Sequence, residues 1–418
     1  MRHNLPIAFL MFGVLMFGCT AQKKSLVLKH DLLQTIDQNF RTAAVQYKGM
    51  KGRLPAGRFP RTYYEKTGRF QTAGSGDWVS GFYPGTLLYL YAQTKDTALL
   101  TEAERMLNVL EKEKNNKSTH DLGFMMFCSF GNAEAIAPKQ EYKEILVTSA
   151  KSLSTRFNPT VGCIKSWDRV RSLDGKTELT YPVIIDNMMN LELLFYASKV
   201  TGDPSFRDIA LRHARTTMKN HLRPDYSSYH VVNYDAETGA VKSRETHQGF
   251  ADNSTWARGQ AWGIYGFTLV YRESKEKAFL ETAEKMADFF LAHLPNDTIP
   301  DWDFNVNQPG YEPKWNYDPA KFPGVPKDAS AGAVAASALI ELSGYVGGRQ
   351  GEKYLKAAED LLTALSSPKY KAAIGENGNF LLKHSTGNAP AYSEIDVPLT
   401  YADYYFVEAM KRYKALKK

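Results

Sequence analysis

Cysteine is almost missing from this chain: three in 418 residues, at positions 19, 128 and 163. So few thiols exclude a disulfide framework, and Cys128 and Cys163, isolated and without a paired histidine, do not make a metal site. No His-Glu-x-x-His pair is present, which removes the usual basis for catalytic zinc. No Gly-x-Ser-x-Gly elbow supports a serine nucleophile. Gly74-Ser75-Gly76 lacks the glycine spacing and the Gly-Lys-Ser/Thr ending of a phosphate loop. Runs of like charge are also missing. The formal net charge of +7 is spread along the chain, which argues against nucleic acid and gives a weak bias towards an anionic ligand. No Pro/Ser-rich linker divides the sequence, and after the first residues no stretch reads as long and apolar enough to span a bilayer.

What is present begins with Arg2 and His3, an apolar run over residues 5–17, and Gly18-Cys19. A basic start and a short apolar core describe an export signal. Cysteine directly after a small residue looks like a lipoprotein cleavage site. Residues 1–18 are therefore expected to be a lipoprotein signal peptide, with residues 19–27 a lipidated Cys19 and polar tether. Residues 28–418 would form a single catalytic domain. The expected location is the cell envelope, lipid-anchored and facing the periplasm, with no other membrane contact.

A periodicity of 3.6 residues predicts twelve helices, at about 28–47, 80–94, 96–114, 121–136, 140–156, 184–200, 204–221, 254–273, 276–294, 328–345, 350–366 and 396–414. Strand signals are few and short, such as 229–234. A weak repeat pairs a bulky residue with an apolar one three or four positions on: Leu99 and Ala103, Tyr142 and Ile145, Phe206 and Ala210, Phe279 and Ala283, Tyr354 and Ala358. Each opens a charged amphipathic helix. The helices between them are poor in charge and rich in Gly, Ala, Met and aromatics. Alternating outer and inner helices in six hairpins predict an all-α fold, an (α/α)6 barrel. An open solenoid would need more uniform repeats.

The stretch 181–198 organises the reading. Ile184 and Ile185 deliver Asp186 to the start of a helix that is apolar nearly all round, hence buried. Taken alone, Asp186 reads first as a helix cap and second as a working acid. Other inner helices also open on unusual residues: Asp77 and Trp78; His120 and Asp121; Trp256 and Arg258, after Gln248; Asp328 and Ser330; Ser393, Glu394 and Asp396. With parallel inner helices these share one rim, where carboxylates, His, Arg, Gln and Trp make a sugar-binding cleft. Capping accounts for Asp77, Asp328 and Ser330 but not for the Trp and Arg companions. Asp121 and Asp186 form a carboxylate pair suited to glycoside chemistry. Arg258 is flanked by small residues and indoles. It suits a bidentate grip on a carboxylate or, equally, a buried structural ion pair. Trp78, Trp167 and Trp262 are candidate stacking platforms, and His230 and Gln248 candidate hydrogen-bonding partners.

Several collinear motifs resemble the unsaturated glucuronyl hydrolases, glycoside hydrolase family 88. They are Gly76-Asp77-Trp78-Val79-Ser80-Gly81-Phe82-Tyr83-Pro84-Gly85, His120-Asp121-Leu122-Gly123-Phe124, Ile185-Asp186-Asn187-Met188-Met189-Asn190, His247-Gln248-Gly249 with residues 256–262, and Ala402-Asp403-Tyr404-Tyr405-Phe406. The resemblance implies an (α/α)6 barrel, Asp186 as acid/base and Asp121 as its partner. It implies a substrate-binding set of His120, Trp167, His230, Gln248, Arg258 and Trp262, to which Trp78 and Ser385 are added. Ser385 lies in the loop 382–387, where relatives differ near the sugar beyond the scissile bond. The implied partner is a lyase-generated oligosaccharide ending in a 4,5-unsaturated uronate, expected to be a glycosaminoglycan disaccharide. No metal or organic cofactor is implied. The rival readings are an unsaturated rhamnogalacturonyl hydrolase acting on pectin fragments and a non-catalytic glycan-binding lipoprotein of helical repeats.

Overall fold

The computed structural model describes Met1 and residues 28–417 apart from residue 323. The expected signal peptide after Met1, Cys19 and the whole of the tether lie outside the described residues. Twelve helical segments follow in order. The first six are α1 His30–Lys51, α2 Phe82–Thr94, α3 Thr97–Leu110, α4 (a π-helical Gly123–Gly131 continuing as Asn132–Ile136), α5 Gln140–Ser154 and α6 (a 3-10 turn Ile185–Asn190 continuing as Leu191–Thr201). The second six are α7 Pro204–Asn220, α8 Ala257–Ser274, α9 Lys277–Ala292, α10 Ala329–Val346, α11 Gly348–Leu365 and α12 Thr400–Ala415. Each expected helix is present, with its ends moved by a few residues.

The odd-numbered helices bury one stripe and expose the other, as α9 does with Phe279, Ala283, Met286 and Phe290 inward. The even-numbered helices are buried on most sides; in α8 every residue from Ala257 to Val270 is buried. The even helices therefore form the inner wall and the odd ones a sleeve. Successive members run antiparallel, so all six inner helices point the same way. Small residues let the inner wall close. A side chain on Gly81 or Gly85 would collide with backbone carbonyls of α4. The ring closes where α12 packs on α2, and α10 packs on α8, α11 and α12.

α10 corrects one sequence expectation. It is long and apolar enough to cross a membrane, with mean hydropathy 1.3, yet it is packed within the inner wall. Its Ala, Gly and Ser residues make it apolar by lacking charge, as close helix packing requires. A second correction concerns the last inner helix. Ser393, Glu394 and Asp396 lie in the preceding loop, and α12 begins at Thr400.

Short strands sit on the rim. β1 Phe59–Tyr64 and β2 Arg69–Ala73 form a hairpin, and β3 Phe157–Asn158 pairs with β4 Cys163–Ile164. β5 Pro182–Ile184, β6 Val231–Tyr234 and β7 Val241–Glu245 form an antiparallel sheet. The expected strand near 229–234 is β6. Its two partners were not foreseen, and β5 is what aims Asp186.

Candidate active site

The β5–β6 pairing places Ile184 opposite Val231 and lets the Ile185 amide donate to the His230 carbonyl at 3.0 Å. Asp186 is the next residue, as β5 turns into α6. It caps nothing: Ile184 holds the cap position, and no side chain accepts there. Asp186 is 9% exposed, and its Oδ1 is buried without a partner. Burial pushes its carboxyl up to about 7, Arg258 opposing and Asp121 reinforcing the shift. An orphaned carboxyl oxygen in a cavity, protonated near neutral pH, is equipped to deliver a proton.

Asp121 comes from the turn before α4. Thr119 Oγ1 donates to it at 3.2 Å, and Asn190 lies close by. Burial raises its carboxyl too, with His120, Thr119 and Asn190 opposing. The Asn190 Oδ1 accepts from the Phe124 amide at 2.9 Å, fixing α4 against α6. Gly123 is required here, because a Cβ would strike Asn190. The spacing of Asn190 four residues after Asp186 was available in the sequence, but its role was not foreseen.

Two histidines flank the pair, and the backbone sets their tautomers. His230 Nδ1 accepts from the amides of His247 (3.0 Å) and Gln248 (3.3 Å). Amides only donate, so His230 carries its proton on Nε2, which lies 3.8 Å from Asp186 Oδ1. Burial holds it well below the usual imidazole range, hence neutral. His120 is the reverse. Its Nδ1 contacts the Ser166 carbonyl at 2.8 Å and must donate, leaving Nε2 3.2 Å from Asp121 Oδ1. Burial holds the His120 imidazole below its usual range, and its Nε2 makes no hydrogen bond. Asp186 thus faces a neutral donor, the His230 Nε2–H.

One cavity of about 90 Å³ is lined by Trp78, His120, Asp121, Phe124, Trp167, Ile184, Asp186, Gln248 and Arg258. His230 lies just behind it. The other candidates are placed differently. Trp262 is fully buried, wedged between Phe124 and Tyr405 at ring separations of 5.2 Å, and it does not line the cavity. It supports the floor and offers no face to a sugar. Ser385 is fully buried and pairs through its backbone with Val397, also away from the lining. The sequence pattern could not separate a covered ring from an open one.

Arg258 joins both of its sequence readings. Its Nη1 pairs with Asp328 and donates to the Thr386 carbonyl at 2.7 Å, and Nη2 donates to the Gly387 carbonyl at 2.7 Å. Its guanidinium lies 4.5 Å from the Trp256 ring. It is a structural ion pair whose charge reaches the cavity, fixed before any substrate arrives. Asp328 also caps α10 through the amides of Ser330 and Ala331, so one carboxylate anchors a helix and a cation. Gln248 Nε2 donates to the same Gly387 carbonyl at 2.9 Å, tying the 382–387 loop to the cavity wall.

Comparison with known proteins gives a consistent result. Residues 56–416 match the model of Glycosyl Hydrolase Family 88. An unsaturated glucuronyl hydrolase of Formosa agariphila is 45% identical over 360 residues, covering 85% of each chain. An unsaturated chondroitin disaccharide hydrolase of Streptococcus pyogenes is 30% identical over 396 residues, covering 94% of this chain and 93% of that one. A crystal structure of an unsaturated glucuronyl hydrolase specific for heparin superposes with a TM-score of 0.84 at 45% identity, over 92% of this chain and 98% of the other.

Proposed function

The chain belongs to glycoside hydrolase family 88, and on that premise we propose that it removes a 4,5-unsaturated uronate from the non-reducing end of lyase-generated glycosaminoglycan oligosaccharides. The observation that carries this reading is Asp186: a buried carboxyl with a free Oδ1, held protonated up to about pH 7, facing a cavity it shares with Asp121 and the Arg258 charge.

The target ring is a vinyl ether, so protonation at C4 is the accessible step. Asp186 gives its proton to C4, and positive charge develops at C5, shared with the ring oxygen. Water adds at C5 and returns a proton to the ionised Asp186. The C5 hemiketal opens by breaking its bond to the ring oxygen, which becomes a hydroxyl on C1. The hemiacetal at C1 then collapses to an aldehyde and releases the remaining sugar. Acid and base are one residue in turn. Asp121, on the wall of the same cavity, is placed to offset the positive charge that develops. Arg258 attracts the uronate carboxylate without surrendering its own partners.

The test is direct: incubate the protein with unsaturated disaccharides in heavy water and follow the enoate's ultraviolet absorbance. Loss of absorbance with deuterium at C4 of the product is expected. Persistence of the absorbance, or no deuterium at C4, overturns the reading.

The reading extends to location. The run ending at Gly18-Cys19 supports lipid anchoring at Cys19 in the cell envelope, facing the periplasm. In the fold, the Lys29 amide donates to Tyr413 Oη at 3.0 Å, at the C-terminal end of α12 and so at the barrel end opposite the cavity. An anchor leaving there keeps the mouth clear of the bilayer. Membrane fractions should contain the wild type and lose the Cys19→Ala variant; a soluble wild type refutes anchoring.

A further inference from the structure

We propose that the barrel end opposite the cavity is a docking face for an anionic lipid bilayer, a reading that deepens the envelope location proposed above and rests on it. The loops there join each inner helix to the outer helix that follows, and they gather cations that lie scattered in sequence. Lys95, Lys199, Lys275, Lys277, Arg349 and Lys417 are exposed, and among the described residues no carboxylate lies within ion-pair distance of any of them. Acids of the same loops are already paired, Asp96 with Lys48 at 2.6 Å and Glu276 with Arg215 at 2.8 Å. The acids left unpaired in these loops and the first helical turns beside them, Asp31, Glu141, Asp203 and Glu352, are fewer, and Asp203 is occupied in capping α7. An excess of free positive charge on one end suits a negatively charged surface.

Two of these turns repeat one another. Residues 91–98 read Tyr-Ala-Gln-Thr-Lys-Asp-Thr-Ala, and residues 271–278 read Tyr-Arg-Glu-Ser-Lys-Glu-Lys-Ala. In both, the lysine follows the inner helix at a φ of 62°. Glycine takes that left-handed position at less cost, as Gly202 does after α6. The Lys95 ammonium lies 5.9 Å from the Tyr91 ring, and that of Lys275 lies 5.6 Å from Tyr271 and 5.3 Å from Tyr345. A half-buried tyrosine beside an exposed lysine suits the boundary between protein and lipid headgroups. Val200, 41% exposed, adds an apolar contact at the same end. A cation past a helix C-terminus also complements the helix dipole, which accounts for Lys95 and Lys275. It does not account for Lys277 and Arg349, which stand in the first turns of α9 and α11, where the dipole disfavours a cation. The described chain enters the barrel at this end too, where the Lys29 amide meets Tyr413. A lipid on Cys19 and these cations would therefore engage one surface.

The test uses the full chain carrying Cys19→Ala, which cannot be lipidated, sedimented with vesicles of phosphatidylcholine alone or of equal parts phosphatidylcholine and phosphatidylglycerol. Residues 1–27 are the same in every variant, so their own membrane affinity cancels from the comparison. Binding should favour the anionic vesicles, and rising salt should erode the preference. Lys95→Gln, Lys275→Gln, Lys277→Gln and Arg349→Gln together should lower the anionic-to-neutral ratio about tenfold or more. Lys66→Gln, Lys112→Gln, Lys117→Gln and Lys176→Gln together remove the same charge from the mouth end and should leave the ratio within about twofold. Lys277→Gln with Arg349→Gln separates docking from folding: the melting temperature should hold or rise as cations leave two helix starts, while the ratio falls. No anionic preference, a ratio unchanged in the fourfold rear variant, or an equal fall in the mouth variant overturns the docking face. Rear-dependent retention on an immobilised soluble polyanion without any vesicle preference gives the face to a polymer and overturns it too. A lipidatable wild type found soluble on fractionation overturns anchoring instead, a result on which the vesicle ratio does not depend.

Discussion

The two ends of this barrel bury charge in opposite ways. At the front, Asp186 Oδ1, His120 Nε2 and His230 Nε2 are buried with no hydrogen-bond partner. At the rear, Glu408 is as buried but accepts from Tyr89 (3.1 Å), Tyr265 (3.2 Å) and Ser337 (2.6 Å). Around it Arg412 donates to Glu341 at 2.6 Å, and Arg272 joins Glu341 and Glu192. The rear also encloses a cavity, of about 140 Å³, lined by Tyr89, Glu192, Tyr265, Glu408 and Arg412. A cavity with buried carboxylates is therefore not enough to mark a site. What distinguishes the front is polar atoms left unsatisfied, which a substrate can complete.

A raised pKa alone misleads in the same way. Burial pushes Asp403 up to about 7, as it does Asp186. Yet Asp403 accepts from the amides of Leu381 and Leu382 and from Tyr47 Oη, at 2.9 to 3.0 Å. It staples a loop to α12 and lines neither the front nor the rear cavity.

The largest effect that would break this contrast is at the front. Asp186→Asn should lower turnover by about 10³-fold or more, while the melting temperature holds or rises. The sign follows from proton counting. A carboxyl raised from about 3.9 to about 7 is more protonated when folded, so stability falls as pH rises between those values and is flat above. The variant lacks that loss, so its advantage over wild type should build between those values and be complete above pH 7. Wild-type kcat/KM should drop about tenfold for each pH unit above that point. A melting temperature lowered alongside the rate would mean that Asp186 is structural.

Next in size, Glu408→Ala leaves the Tyr89, Tyr265 and Ser337 hydroxyls without their carboxylate acceptor and should cost roughly 3–5 kcal/mol of stability. Below its melting point it should keep the wild-type KM. A large change in kcat at the rear with stability intact would erase the contrast. Arg258→Lys tests the one residue belonging to both kinds. Losing the fork to Asp328 and two carbonyls should cost roughly 2 kcal/mol in thermal stability and raise KM for the unsaturated uronate. A change in only one of the two would assign Arg258 to one role. The smallest effect is expected from Asn190→Ala, about 1 kcal/mol in stability. Because Asn190 holds Asp121 down, its removal should move the acidic limb of the pH profile upward.

Much of this was legible in the sequence because helical periodicity and charge contrast are local signals. The twelve helices and the inner–outer alternation follow from them. Asp121, Asp186, Trp78, Trp167, Gln248 and Arg258 were legible as a set because inner-helix starts must share a rim. Trp262 and Ser385 were placed in the cleft because exposure depends on which neighbour lies above a ring, here Phe124, and no local pattern encodes that. The His120 and His230 tautomers were hidden for a related reason. They are set by the Ser166 carbonyl and the amides of His247 and Gln248, backbone groups that any residue would present.

The seam of the ring has a consequence for how the molecule is made. Tyr47 reaches Asp403 and Arg61 reaches Glu394, contacts that span more than 300 residues of chain. Neither can form until the chain has been made past Glu394 and Asp403. Contacts so distant in sequence are slow to close. Arg61 also pairs with Asp77, beside Trp78 on the cavity wall, so the seam and that wall are tied together. A chain cut short before α12 would lack the Tyr47–Asp403 closure and the inner helix that packs on α2 and α10.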